Sequence, residues 1–171
     1  MIRKWMLFFV LIAALAIAKP AMGASASATM TVTATVIATC TITSGNLSFG
    51  NYDAVGANAT APLNGTAAIK ATCTQGAAAT VDIDQGLNAS GSGNSMQRRM
   101  KGTGTNYLSY SIYQDSAHSK PWGSKTSGTT VSVTGAGGTT PVTLTAYGSV
   151  PSAQNAPVGS YTDSVAVTIN Y

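Results

Sequence analysis

Beyond residue 23, the apolar residues of this 171-residue chain recur at every second position, and no stretch repeats them at helical spacing. Successive side chains of a strand leave opposite faces, so this period builds strands with one apolar face. Ala67, Ile69, Ala71 and Cys73 alternate with Thr66, Ala68, Lys70 and Thr72. Val81 and Ile83 sit among Thr80, Asp82 and Asp84, while Leu108, Tyr110 and Ile112 alternate with Ser109, Ser111 and Tyr113. Val131 and Val133, then Val142, Leu144 and Ala146, and finally Val165, Val167, Ile169 and Tyr171 repeat the pattern. Turn chemistry separates the segments, at Gly45-Asn46, at Asn64-Gly65, and in the runs 86–95, 135–138 and 151–159. The reading is an all-β sandwich of one domain.

Residues 24–36, ASASATMTVTATV, stand apart from the rest. Ala24, Ala26, Ala28, Met30, Val32, Ala34 and Val36 alternate with Ser and Thr, with no charge, Pro or Gly. At ~3.4 Å per residue the segment spans about 44 Å. A domain of this size has a radius of gyration near ~15 Å and is about 40 Å across. Such a strand crosses its own domain and overhangs it. The phase then breaks at Val36-Ile37, which divides it from the strand carrying Cys40. Two readings fit. It is an edge strand or tail of its own domain, or it leaves that domain and completes a neighbour's sheet by β-augmentation.

The first residues read as an export signal. Arg3 and Lys4 precede an apolar run from Trp5 to Ala18, and Ala21-Met22-Gly23 offers small residues for cleavage. The expected division is a signal peptide over 1–23, the appended strand over 24–36 and a sandwich over 37–171. Losing Arg3, Lys4 and Lys19 takes nine Lys/Arg to six, against five Asp and no Glu. A net charge of +1 gives no broad attraction for nucleic acid or anionic membranes. Cys40 and Cys73, the only cysteines, enter an oxidising compartment and read as a disulfide. It would close a loop of roughly 33 residues and contribute about 3–4 kcal/mol.

Catalysis finds little material here. His118 is the sole histidine, and it sits in a loop before Pro121-Trp122. Asp82 and Asp84 share a strand face and are expected to be solvated. Asp82-Ile-Asp84-Gln-Gly86 glances at a calcium loop but lacks a third ligand before the glycine and a closing Glu. Arg98, Arg99 and Lys101 form the one basic cluster, too few cations for nucleic acid. Tyr107, Tyr110, Tyr113 and Trp122 are candidates for a sugar-binding platform, although alternation puts Tyr110 on the core side. Asn46, Asn58, Asn64 and Asn88 open Asn-X-Ser/Thr patterns and read as turn residues. The reading is of a protein that is not an enzyme, with no metal and no cofactor.

Three further stretches carry a resemblance. They are Cys40-Thr-Ile with Leu47-Ser-Phe49-Gly50-Asn-Tyr52-Asp53, then Leu108 through Trp122-Gly123, then Tyr147-Gly148-Ser-Val150-Pro151 with Pro157-Val-Gly159-Ser-Tyr161-Thr-Asp163-Ser-Val165 and the closing Tyr171. Together they resemble the spore coat protein U family, which includes archaic (Csu-type) chaperone–usher pilins. The resemblance implies an incomplete immunoglobulin-like β-sandwich that lacks one strand. It implies a periplasmic chaperone and an outer-membrane usher as partners, with copies of the chain or sibling pilins. It implies no nucleic acid and no small-molecule substrate. The product would be a pilus or surface fibre, reached through the periplasm, for adhesion and biofilm formation. On this resemblance Ala26, Ala28, Met30, Val32, Ala34 and Val36 form the donor strand. Val165, Val167, Ile169 and Tyr171 form the C-terminal strand that faces groove and chaperone, and Cys40–Cys73 joins the first two strands. A secreted spore-coat protein is the alternative, with a glycan-binding module behind it.

Overall fold

A computed structural model gives the architecture and describes residues 22–91 and 97–171. The signal peptide expected over 1–23 lies outside the described residues as far as residue 21. Two units are distinct, one ending at Thr35 and the other comprising Val36–Tyr171. Residues 22–39 belong to no strand ladder, and every one of them is exposed. Met30 is 84% and Val32 83% exposed. The alternation of 24–36 thus has no partner strand among the described residues.

Among the described residues, the second unit holds nine strands. They are β1 Cys40–Ser44, β2 Leu63–Cys73, β3 Ala78–Ile83, β4 Arg99–Lys101, β5 Tyr107–Ser109, β6 Ser111–Tyr113, β7 Val131–Thr134, β8 Val142–Val150 and β9 Val167–Asn170. One sheet has the order β1-β2-β8-β6, a second β7-β3-β9, and β4-β5 form a ribbon. All the strand pairs are antiparallel. The core lies between the two sheets and includes Ile69, Val81, Ile83, Leu108, Tyr110, Ile112, Trp122 and Val150. Trp122 is buried, and its indole Nε1 donates to Val81 O at 2.9 Å, so burial leaves no orphan donor.

The inner face of the first sheet is built from small residues where β2 meets β8. Gly65 faces Gly148 and Ala67 faces Ala146 in register. The glycine pair makes a hollow for the segment after β1. A Cβ on Gly148 would stand 2.7 Å from both Leu47 and Phe49, and one on Gly65 would stand 2.8 Å from Ser48 O. These glycines are required by close approach rather than by backbone angle. At the other end of the sheet, Cys40 and Cys73 are directly opposed in the β1–β2 register and joined as a disulfide.

Two sequence expectations change. The run 108–113 is two strands rather than one. β5 pairs with β4, β6 pairs with β8, and the chain changes sheets at Tyr110. Tyr110 N donates to Arg98 O, and Gln97 Nε2 donates to Tyr110 O, so the switch is pinned on both sides. Asp82, expected in solvent, is buried. β3 is the middle strand of its sheet, and Asn170 Nδ2 of β9 donates to Asp82 Oδ2 at 3.1 Å. Asp84 is exposed as expected.

Gly148→Val should lower stability by roughly 1–3 kcal/mol through overpacking against Leu47 and Phe49. Thermal unfolding measures this, and an unchanged midpoint would mean that the hollow is not filled as described.

Candidate functional site

Among the described residues the strand β9 pairs with β3 alone, which leaves its other edge open. Which backbone groups lie on that edge follows from the hydrogen bonds. Asp84 N donates to Ala166 O, Leu87 N to Ser164 O, and Thr162 N and O pair with Lys101. The even-numbered residues 162, 164 and 166 therefore turn their main chain toward β3 and β4. In an antiparallel strand the alternate residues turn theirs the other way. Val165 and Val167 present N–H and C=O groups to the open edge, while their side chains pack half-buried on the core.

β1 is likewise an outer strand of its sheet, bonded to β2 alone. Between the two edges lies a cleft of about 410 Å³. One wall is Ser44 and the segment through Phe49, and the other runs from Tyr161 to Val167. The cleft opens on Ala67, Ile69, Ile83 and Ala146, which are core residues. It is a slot in the sandwich, apolar at its base and bordered by unpaired backbone.

A polar network fixes the far wall. Asp163 accepts from Tyr110 Oη at 2.8 Å through Oδ2, and through Oδ1 from Asn88 Nδ2 at 2.9 Å and Asn88 N at 3.2 Å. Gly86, at φ +77°, lies so close that any side chain there would overlap the Asp163 carboxylate. Asp84 Oδ1 accepts from Gly86 N and Ala166 N. The wall is thereby tied by Asp84 to the end of β3 and by Asp163 to Asn88 and Tyr110. Burial raises the Tyr110 hydroxyl well above the ordinary tyrosine value, and the hydrogen bond to Asp163 raises it further.

Arg98 lies behind this wall, only 7% exposed. Its Nε donates to Asp84 O, and one terminal nitrogen donates to both Ile83 O and Trp122 O. Burial lowers its pKa, offset by the charges of Tyr110, Asp84 and Asp163. The basic cluster is accordingly no surface patch. Arg98 is interior, and Arg99 lies 3.9 Å over the Tyr107 ring with its Nε on Asn88 O.

The sequence-selected residues are distributed as follows. Val165 and Val167 border the cleft, Ile169 packs on the core beyond it, and Tyr171 is 61% exposed. Ala26, Ala28, Met30, Val32, Ala34 and Val36 are all exposed. The aromatic residues considered for a sugar platform do not assemble into one. Tyr110 and Trp122 are buried, Tyr107 is held by Arg99, and Tyr113 meets His118 edge-on at 5.1 Å. Among the described residues no three His, Cys, Asp or Glu side chains converge on a metal position. Sequence reasoning missed the interior role of Arg98 and the clamp made by Asp163. Nothing in a Gln-Arg-Arg-Met run marks which arginine turns inward.

The Spore Coat Protein U domain family matches residues 26–168. The chain belongs to that family. Protein U of Myxococcus xanthus is 40% identical over 168 residues, covering 93% of this chain and 92% of that protein. A chain from the crystal structure of the CsuC–CsuE chaperone–tip adhesion subunit pre-assembly complex, from the archaic chaperone–usher Csu pili of Acinetobacter baumannii, superposes with a TM-score of 0.54. Identity there is 24%, over 80% of this chain and 41% of that one, so this Spore Coat Protein U domain spans less than half of that chain and shares its fold. The fold is all-β with unclosed sheets, that of an incomplete immunoglobulin-like sandwich.

Tyr110 carries a pH prediction. Its folded pKa lies above the unfolded value of 10.0, so its contribution is fully present below pH 10.0 and is lost as pH rises beyond that. Melting temperature should fall above pH ~10 more steeply in the native chain than in Tyr110→Phe. At pH 7, Tyr110→Phe should cost about 1–3 kcal/mol, because Asp163 loses a donor. Parallel alkaline profiles for the two proteins would remove Tyr110 from the clamp.

Proposed function

We propose that this chain is a secreted, non-enzymatic structural subunit that polymerises by strand exchange between copies or siblings. The observation that carries the reading is the open edge of Val165 and Val167 beside a cleft that reaches the core. The segment 24–36 has the complementary pattern, one apolar face and no charge, and is unpaired in its own chain. Its main chain would bond the open edge, and Met30, Val32 and Val36 would fill the cleft while the alanines allow close approach. Each Met or Val so buried is worth about 1.5–3 kcal/mol. The joint would then be durable, because leaving it exposes a core.

The setting follows from the relatives. The solved structure of like fold is a chaperone–subunit complex from chaperone–usher pili, which supports a pilus or surface fibre and a periplasmic chaperone as partner. A chaperone strand in the same cleft would protect it before assembly, with the usher as the site of exchange and Tyr171 as a chaperone anchor. The family's name and the 40% identity to Protein U support a second setting, a spore coat, in which the same joint would serve.

A complementation test separates donor from acceptor. Val32→Asp spoils the arm and leaves the cleft, whereas Val167→Asp spoils the cleft and leaves the arm. Neither variant alone should form fibres by electron microscopy. Mixed, they should give pairs and no long fibres, because one junction forms and then the chain terminates. Fibres of ordinary length from Val32→Asp would overturn the reading.

A further inference from the structure

A second cleft, of about 510 Å³, is lined by Arg98 and shares only Tyr110 and Ile112 with the groove among the described residues. Its contents are unlike those of the groove. Arg98 lines it, with Gln85, Ser111, Ser124, Thr126 and Thr129. The guanidinium spends Nε and one terminal nitrogen on the carbonyls of residues 83, 84 and 122. Its other terminal nitrogen, Nη1, has no protein acceptor among the described residues. All its described hydrogen-bond acceptors are carbonyl oxygens, and no carboxylate among them closes an ion pair. The carboxylates of Asp84 and Asp163 offset part of the burial cost through space, and neither hydrogen-bonds the guanidinium.

The rest of the lining supplies neutral hydrogen-bonding groups. The Gln85 amide and the hydroxyls of Ser111, Ser124 and Thr126 have no described protein partner. A fixed guanidinium beside several uncommitted hydroxyl and amide groups suits an anionic group carried on a polyhydroxylated ring. We propose that this cleft binds a hexuronate residue of an acidic polysaccharide, with Arg98 meeting the carboxylate and Gln85, Ser111, Ser124 and Thr126 meeting the ring hydroxyls. The free nitrogen Nη1 is suited to that role, because the guanidinium is held by three carbonyls and needs no reordering on binding. The site is independent of the strand-exchange reading. It would work equally in an isolated subunit and in a fibre, so each subunit along a fibre would add one weak site and the whole would bind by multivalency.

The test is titration calorimetry of the full chain with tetragalacturonate, against neutral tetragalactose as control. Saturable binding to the acidic sugar is expected, at least tenfold tighter than to the neutral one, and weakening with added salt. Ser124→Trp should block the cleft without touching the carbonyl bonds of Arg98. It should weaken binding at least tenfold at an unchanged melting temperature. Thr126→Trp, at an exposed position, repeats the test if Ser124→Trp lowers the melting temperature. No saturable binding, equal binding of the two sugars, or full binding by a blocked, folded variant would each overturn the proposal.

Discussion

An unpaired strand edge beside a cleft that reaches the core is a place where a further strand can add. Backbone N–H and C=O groups on the edge gain by pairing, and apolar side chains gain by entering the cleft. Here the edge and the cleft share one location, along Val165 and Val167 over the core residues Ile69, Ile83, Ala67 and Ala146. A strand with one apolar face answers both at once. Flat, uncharged edges are aggregation sites in most proteins. In this fold the edge lies in a slot with walls, so only a strand that can enter the slot gains the core contacts. The same chemistry that would be a hazard on an open sheet becomes selective by shape.

That slot keeps its form because polar groups hold its far wall. Asp84 bonds the wall segment to the end of β3, Asp163 bonds it to Asn88 and Tyr110, and Arg98 bonds the end of β3 to the segment of Trp122. Each of these side chains reaches backbone atoms of a distant stretch of chain. They act where regular ladders run out, around the sheet change at Tyr110 and the irregular stretch before β9. Apolar contacts alone are non-directional and would let the wall lean into the gap. The buried charge is the means by which an opening beside the core stays open.

Much of this architecture was legible in the chain itself. Period-two patterns located β2, β3, β7, β8 and β9, because those strands alternate core-facing apolar residues with polar ones. Cysteine count and export context located the disulfide. What escaped the pattern was set by long-range partners. Leu108, Tyr110 and Ile112 keep a single alternation through the sheet change, so inward-facing residues give no sign that the strand ends and another begins. Asp82 looked like the polar half of an alternation, yet the middle strand of a sheet can be covered on both faces. Arg98 and Arg99 are neighbours in sequence with opposite fates, decided by carbonyls far along the chain. Only the arm 24–36 announced its oddity locally, through a length that no compact domain of this size needs.

The position of the disulfide has a mechanical consequence. The N-terminal arm runs into β1 through residues 37–39, where Thr74 bonds the backbone of Ile37 and Thr39. Any pull on the arm therefore arrives at Cys40, the first residue of a strand only five residues long. Without a covalent tie, tension there would peel β1 from β2 one hydrogen bond at a time. The bond to Cys73 passes it instead to β2, an eleven-residue strand bonded to neighbours on both sides. The link that looks like a folding staple is placed where tension on the arm would otherwise open the sandwich first.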